Sequence, residues 1–173
     1  KSKYAAILNL SPDHLERHLT FKNYVKAKFK LFKNQTKENF AFIKKEDLSI
    51  KKELSQIKLS SQIIKVSTKK ENNFLKLIDN KYFETETNRD NLLFVLEILK
   101  KFKVKKYLLI KTVQKFSGLK YRQQIIFKKK YLTIINDSKS TSFSSSISLL
   151  KTNHKFYWLL GGLNKKGDEF NLS

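Results

Sequence analysis

A chain of 173 residues has length for one or two small domains, and a hydrophobic content of 40% excludes a disordered polymer. No apolar run approaches the roughly 20 residues needed to span a bilayer, and the absence of Cys excludes disulfides and thiolate metal sites and fits a reducing, cytoplasmic compartment. The net charge of +22 invites a nucleic-acid partner, but of 37 basic residues only Arg17, Arg89 and Arg122 are arginine and the lysines are spread throughout, which favours solvated lysine faces over a specific nucleic-acid interface.

There is no Met, and the first residue is Lys1, so the chain reads as a piece of a longer protein. "YAAILNL" (residues 4–10) is a continuous apolar run and predicts a strand buried on both faces. "SPDHLERH" follows it, with Asp13, His14, Glu16, Arg17 and His18 in eight residues. In open α/β sheets, ligands bind at the carboxyl ends of strands, and this polar cluster falls at such an end. From Thr20 to Lys33 the pattern turns helical, with Thr20 as cap and Phe21, Tyr24, Val25, Lys28 and Phe32 on one face. Lys28 is the odd member of that stripe; periodicity alone reads it as a snorkelling stem with its ammonium in water.

"NFAFI" (39–43), "QIIKVS" (62–67) and "NFLKLI" (73–78) are strand-like, and "KEDLSIKKELSQ" (45–56) is a weak helix or a loop. "NRDNLLFVLEILKKF" (88–102) is the clearest helix and "VKKYLLIKTVQKF" (104–116) predicts another. "SGLKYR" breaks the pattern at Gly118, which sets a domain boundary there, giving segments 1–117 and 118–173. Beyond it come two strands around a "KKK" turn ("QQIIFK", "YLTIIND"), a helix ("SFSSSISLLK"), a strand ending in glycines ("KFYWLLGG") and a polar loop ("LNKKGDEF"). Both segments point to an α/β fold.

Two strand ends carry chemistry-bearing side chains: Asp13, His14 and His18 at the first, and Asp137, Lys139 and Thr141 in "INDSKSTS" at the second. Each alone is matched by a polar loop with a turn or helix cap. In order, however, "LNLSPDHLERH", "NYVKAK", "TNRDN", "GLKYR", "INDSKST" and "LGGLNKKGDEF" resemble the Mur ligases, and among them the D-glutamate-adding branch. The resemblance covers the whole chain and is weakest over residues 34–86.

That resemblance implies the C-terminal part of a central ATP-binding domain, followed by the start of a dinucleotide-fold-like C-terminal domain. It implies ATP and Mg²⁺ as cofactors, UDP-N-acetylmuramoyl-L-alanine and D-glutamate as substrates, and a monomer when full length. The phosphate loop of the Gly-x-x-Gly-Lys-Ser/Thr type, which such a domain uses, is not in this sequence. His14 matches a metal-ligand histidine of the family. Lys28, in "Y-x-x-A-K" with Tyr24 and Ala27, matches a lysine that becomes a carbamate and so an anionic oxygen ligand, a reaction that burial of a neutral amine favours. Asn91 matches an asparagine near the adenine, while Asn88 ahead of it reads equally as a helix N-cap. Arg122, Asp137 and Lys139 match nucleotide-contacting groups. Thr141 and Lys165 match groups that hold the D-glutamate carboxylates, with Lys166 open as the alternative to Lys165. The sequence departs from the family pattern at Lys120, Tyr121 and Leu19. Other Mur-like ligases, adding diaminopimelate or lysine or extending folate with glutamates, remain open, as does, from a different class, a basic nucleic-acid-binding module.

Overall fold

In the computed structural model, residues 2–69, 72–153, 155–163 and 167–170 are described. The first half of the chain builds a parallel three-stranded sheet in the order β1 (Tyr4–Ile7), β2 (Phe40–Lys44), β3 (Gln62–Val66), with Tyr4 opposite Phe40 and Phe42 opposite Ile64. Alternation along these strands sends side chains into two cores. Ala5, Ile7, Ala41 and Ile43 face Val25, Phe29, Phe32 and Ile50, which come from α2 (Phe21–Phe29), the 3₁₀ turn after it, and α3 (Leu48–Leu54). Phe42 and Val66 face Leu92, Leu93, Phe94 and Leu96 of α4 (Glu86–Leu99) and Val113 of α5 (Lys106–Lys115). The result is a sheet with helices on both faces, and each fully buried side chain such as Phe42 contributes about 1.5–3 kcal/mol.

Local signals set the element ends. Thr20 caps α2, its Oγ1 accepting from the Asn23 N–H at 3.2 Å. Asp47 caps α3 through the Ile50 N–H at 3.0 Å, and its other oxygen accepts from the Leu10 N–H at 3.2 Å, which ties the loop after β1 to the start of α3. That loop carries a single helical turn, α1 (Leu15–His18). Within the region 45–56, Leu48–Leu54 is therefore helical because Asp47 supplies a cap and Ile50 a core contact.

In the first half of the chain three sequence expectations are corrected. β1 ends at Ile7 and does not reach Leu10, because β2 pairs with it only that far. The stretch 73–78 is a 3₁₀ turn (Leu75–Leu77) and not a strand. Asn72 Oδ1 accepts from the Phe74 N–H at 2.9 Å and turns the chain; Phe74, Leu75 and Ile78 then pack on the α4 and α5 core. Lys28 lies outside the buried stripe of α2 and is exposed. Phe29 takes the core position between Val25 and Phe32, leaving Lys28 beside it with Nζ 5.0 Å from the centroid of the Tyr24 ring.

After α5 the chain bends at Gly118 into an antiparallel hairpin, β4 (Gln124–Lys129) and β5 (Leu132–Asn136), then α6 (Phe143–Leu150). The stretch 155–162, expected as a strand, has no regular structure: among the described residues no strand pairs with it, and Tyr157 and Leu159 are exposed.

Candidate functional site

The loop after β1 presents His14 in a left-handed conformation (φ 53°), its N–H bonded to Asp13 Oδ1 at 3.0 Å. The imidazole is about half exposed, with Nε2 3.5 Å from Asp13 Oδ2 and Nδ1 3.6 Å from Glu16 Oε1. The His18 and Tyr24 rings meet edge to face at 5.5 Å between centroids, and the Lys28 amine lies over the same Tyr24 ring. No hydrogen bond or ion pair among the described residues joins His14 to Lys28.

A second cluster forms where the linker 117–123 crosses the start of α4. Tyr82 meets Phe83 and Phe116 edge-on, and its ring covers Gly118. Gly118 has φ +85°, and a Cβ there would lie 2.6 Å from Tyr82 Cε2, so both the backbone and the close approach call for glycine. Asn80 holds the end of α5 and the residue after it by donating from Nδ2 to the Val113 and Phe116 carbonyls at 2.7 and 2.8 Å. Burial raises the Tyr82 phenol above its usual range; the neighbouring Arg122 guanidinium opposes that rise and the Asp137 carboxylate adds to it. Arg122 and Asp137 thus act on one ring. The Lys139 N–H donates to the Tyr121 carbonyl at 3.0 Å, which brings the loop after β5 back to the linker.

Asn88 is inside α4, not at its cap: the helix starts at Glu86, and Asn88 Nδ2 donates to the Tyr82 carbonyl at 2.8 Å and to Gln123 Oε1 at 2.7 Å. Asn91 lies one turn further along the same helix and is half-buried. Next to it, Lys44 at the carboxyl end of β2 pairs with Asp90 at 2.6 Å. Burial raises the Asp90 carboxyl above its usual value in spite of Lys44, and Asp90 Oδ1 is buried with no partner.

Thr141 lies ahead of α6, whose cap Ser142 accepts from the Ser145 N–H at 3.3 Å. The buried Asp168 carboxylate accepts from the Phe143 and Ser144 N–H groups at 2.6 and 3.3 Å, so it occupies the positive end of α6. Gly167 beside it has φ +79°, and a Cβ there would meet Leu15 Cδ1 at 2.7 Å, so the 167–170 loop closes on the His14 turn. Lys165 and Lys166 lie outside the described residues.

The sequence candidates therefore fall into two groups. Arg122, Asp137 and Lys139 converge on the linker near the start of α4, the helix that carries Asn91. His14 and Lys28 sit on adjacent elements, with no hydrogen bond or ion pair between them among the described residues. Among the described residues no group of three or more His, Asp and Glu side chains is arranged to hold a metal ion. A divalent cation needs several oxygen donors at once, so these residues alone do not make its site, and no step is derived through one. Gln123, Asp168 and the Lys44–Asp90 pair were not singled out by sequence. Asp168 lay within a quoted motif, but nothing in its spacing announced a cap reaching back to α6.

Residues 1–109 match the Mur ligase middle domain. Curated UDP-N-acetylmuramoylalanine–D-glutamate ligases are similar over almost the entire chain. That of Rickettsia felis is 30% identical over 96% of the chain and 41% of its own length. That of Francisella tularensis subsp. mediasiatica is 36% identical over 94% and 38%. The Wolbachia sp. subsp. Brugia malayi protein is 29% identical over 100% and 37%. The chain thus spans about two-fifths of these relatives. A solved structure of MurF from Acinetobacter baumannii superposes with a TM-score of 0.61 at 18% identity, covering 84% of this chain and 37% of that one, which is a likeness of fold.

Proposed function

This chain belongs to the Mur ligase family, and from that premise we propose that it is part of an ATP-dependent ligase joining D-glutamate to UDP-N-acetylmuramoyl-L-alanine in the synthesis of the peptidoglycan precursor. The observation that carries this reading is the end-to-end likeness to D-glutamate ligases, which runs through the parallel sheet and on across the linker, hairpin and α6. The residues are consistent with it, because Arg122, Asp137 and Lys139 gather at one joint between the sheet and the hairpin.

The substrate carboxylate attacks the γ-phosphorus of ATP, giving an acyl phosphate and ADP. The neutral amine of D-glutamate then attacks the acyl carbon, the amide forms, and phosphate departs with the carbon–oxygen electron pair. Most of the catalysis in such a sequence is positioning and charge stabilisation. Asn91 and Arg122 flank the nucleotide in this reading, with Asp137 and Lys139 from the β5 end beside them. Thr141 donates a hydrogen bond to a D-glutamate carboxylate and Lys165, or Lys166, supplies a point charge. His14, held by Asp13, faces the reacting phosphate. Lys28 serves as a carbamate in this reading, which rests on the family motif alone, because its exposure on α2 withholds the burial that would favour a neutral amine.

The test is ligation by the full-length protein that carries this chain, followed by mass spectrometry of the nucleotide-sugar product and by ADP release. D-Glutamate is expected to be the amino acid taken, and the 173-residue segment by itself, lacking a phosphate loop, is expected to be inert. Transfer of L-lysine or diaminopimelate in place of D-glutamate, or ligation by the segment alone, refutes the reading.

A further inference from the structure

Gln123 sits in the linker with φ +48°, a left-handed conformation that a residue with a side chain adopts only when its surroundings hold it there. Tyr121, two residues before it, is also left-handed at φ +64°. Between them is Arg122. The surroundings that hold Gln123 are specific. Its Oε1 accepts from the Asn88 amide at 2.7 Å and from the Thr85 hydroxyl at 2.9 Å. Both donors are buried, at 6% exposure each, and both belong to the start of α4. Thr85 is the N-cap residue of α4 yet makes no cap bond, because its hydroxyl is given to Gln123. On its other side, the Gln123 N–H donates to Asp137 Oδ1 at 3.0 Å, while Asp137 Oδ2 accepts from the Ser140 hydroxyl at 2.7 Å.

One residue therefore fastens three parts together: the start of α4, the linker and the end of β5. We infer that Gln123 is a positioning residue that holds Arg122 and the Asp137 carboxylate in fixed relation to α4, so that the nucleotide meets a preformed site. This rests on the nucleotide role proposed above for Arg122 and Asp137. The side chain acts as an acceptor, so an acceptor of the same length can replace it and an apolar side chain cannot. Without the latch, Gln123 loses the side-chain bonds that hold its left-handed conformation, while Tyr121 keeps its own bonds to Gln124 and Lys139. The Arg122 guanidinium then samples orientations that binding must narrow again, and that cost falls on nucleotide affinity.

The experiment uses the full-length protein with Gln123→Leu and Gln123→Glu. Gln123→Leu is expected to raise the KM for ATP about tenfold or more, with kcat within about threefold and the KM for the amino acid unchanged. Gln123→Glu, which keeps the acceptor, is expected to stay within about threefold of the parent throughout. Amide hydrogen exchange, read on the same proteins without substrate, is expected to quicken at Gln123 and Lys139 in Gln123→Leu only. If Gln123→Leu does not fold, Thr85→Val removes one donor at small structural cost and should raise the same KM less steeply. An unchanged KM for ATP with unchanged exchange, an equal rise in both KM values, or a Gln123→Glu protein as impaired as Gln123→Leu overturns the inference. An unsubstituted protein that is inert with ATP fails the proposed function instead, and the exchange measurement then decides Gln123 by itself.

Discussion

Replacing Lys44 by Met removes one half of a buried ion pair and tests how the sheet is fastened to α4. Lys44 Nζ lies 2.6 Å from Asp90 Oδ2, with side-chain exposures of 20% and 11%. Asp90 Oδ1 already lacks a partner, so the substitution leaves a carboxylate largely without compensation. Breaking such a pair from one side costs about 3–5 kcal/mol, and the partial exposure of Lys44 points to the lower end, about 3 kcal/mol. For a chain of this size that is a fall in Tm of about 6–12 °C, measured by calorimetry or by urea titration at pH 7. Burial holds the Asp90 value above the usual 3.8 in the folded chain. Its contribution to stability is therefore complete below the unfolded value and is lost as pH rises through the folded one. Without Lys44 that loss grows, so the deficit against the parent should be small near pH 3 and full at pH 7. Lys44→Met combined with Asp90→Leu should recover the parent stability to within about 1 kcal/mol, because an apolar pair has no buried charge to compensate. A single variant within about 1 kcal/mol of the parent at pH 7, or a double variant as unstable as the single, refutes the assignment of Asp90 as a buried charge dependent on Lys44.

Gly118→Ala should cost about 2–3 kcal/mol, since its φ of +85° strains any Cβ and that atom would lie 2.6 Å from the Tyr82 ring; a urea midpoint equal to the parent's would contradict the close approach. Asp168→Ala removes the carboxylate from the Phe143 and Ser144 amides and should lower stability by about 1–2 kcal/mol, with faster hydrogen exchange at those two amides as the direct readout and unchanged exchange as the refutation. Lys28→Arg in the full-length protein should lose at least about a hundredfold in ligation rate, roughly 2.7 kcal/mol, because a guanidinium stays protonated and does not become a carbamate. Its Tm should hardly move, as Lys28 is exposed and an arginine can still lie over Tyr24; a near-normal rate returns Lys28 to a surface cation.

Local chemistry made much of this protein legible before any fold was known. The apolar runs 4–10, 39–43 and 62–67 read as strands, the first as one buried on both faces, and strands form within or against them at 4–7, 40–44 and 62–66. Thr20 and Gly118 announced a helix start and a chain bend through their own backbone preferences. The polar cluster at His14 was placed at a strand end by its position after an apolar run. What sequence did not hold were the outcomes of competition between distant groups. Lys28 looked like a member of the apolar stripe until packing gave the core position to Phe29. Residues 73–78 had strand-like apolarity, but Asn72 bonded its own backbone and the hydrophobic side chains found α4 and α5 instead. Asn88 could equally read as a cap, yet its amide is spent on Tyr82 and on Gln123, thirty-five residues away. The Gln123 latch, the Asp168 cap on α6 and the Lys44–Asp90 pair all join residues far apart in the chain, and their partners exist only once the helices and strands have closed around them. Periodicity reports which face of an element is apolar; it carries no term for which polar groups will be left buried together, and that choice belongs to the tertiary structure.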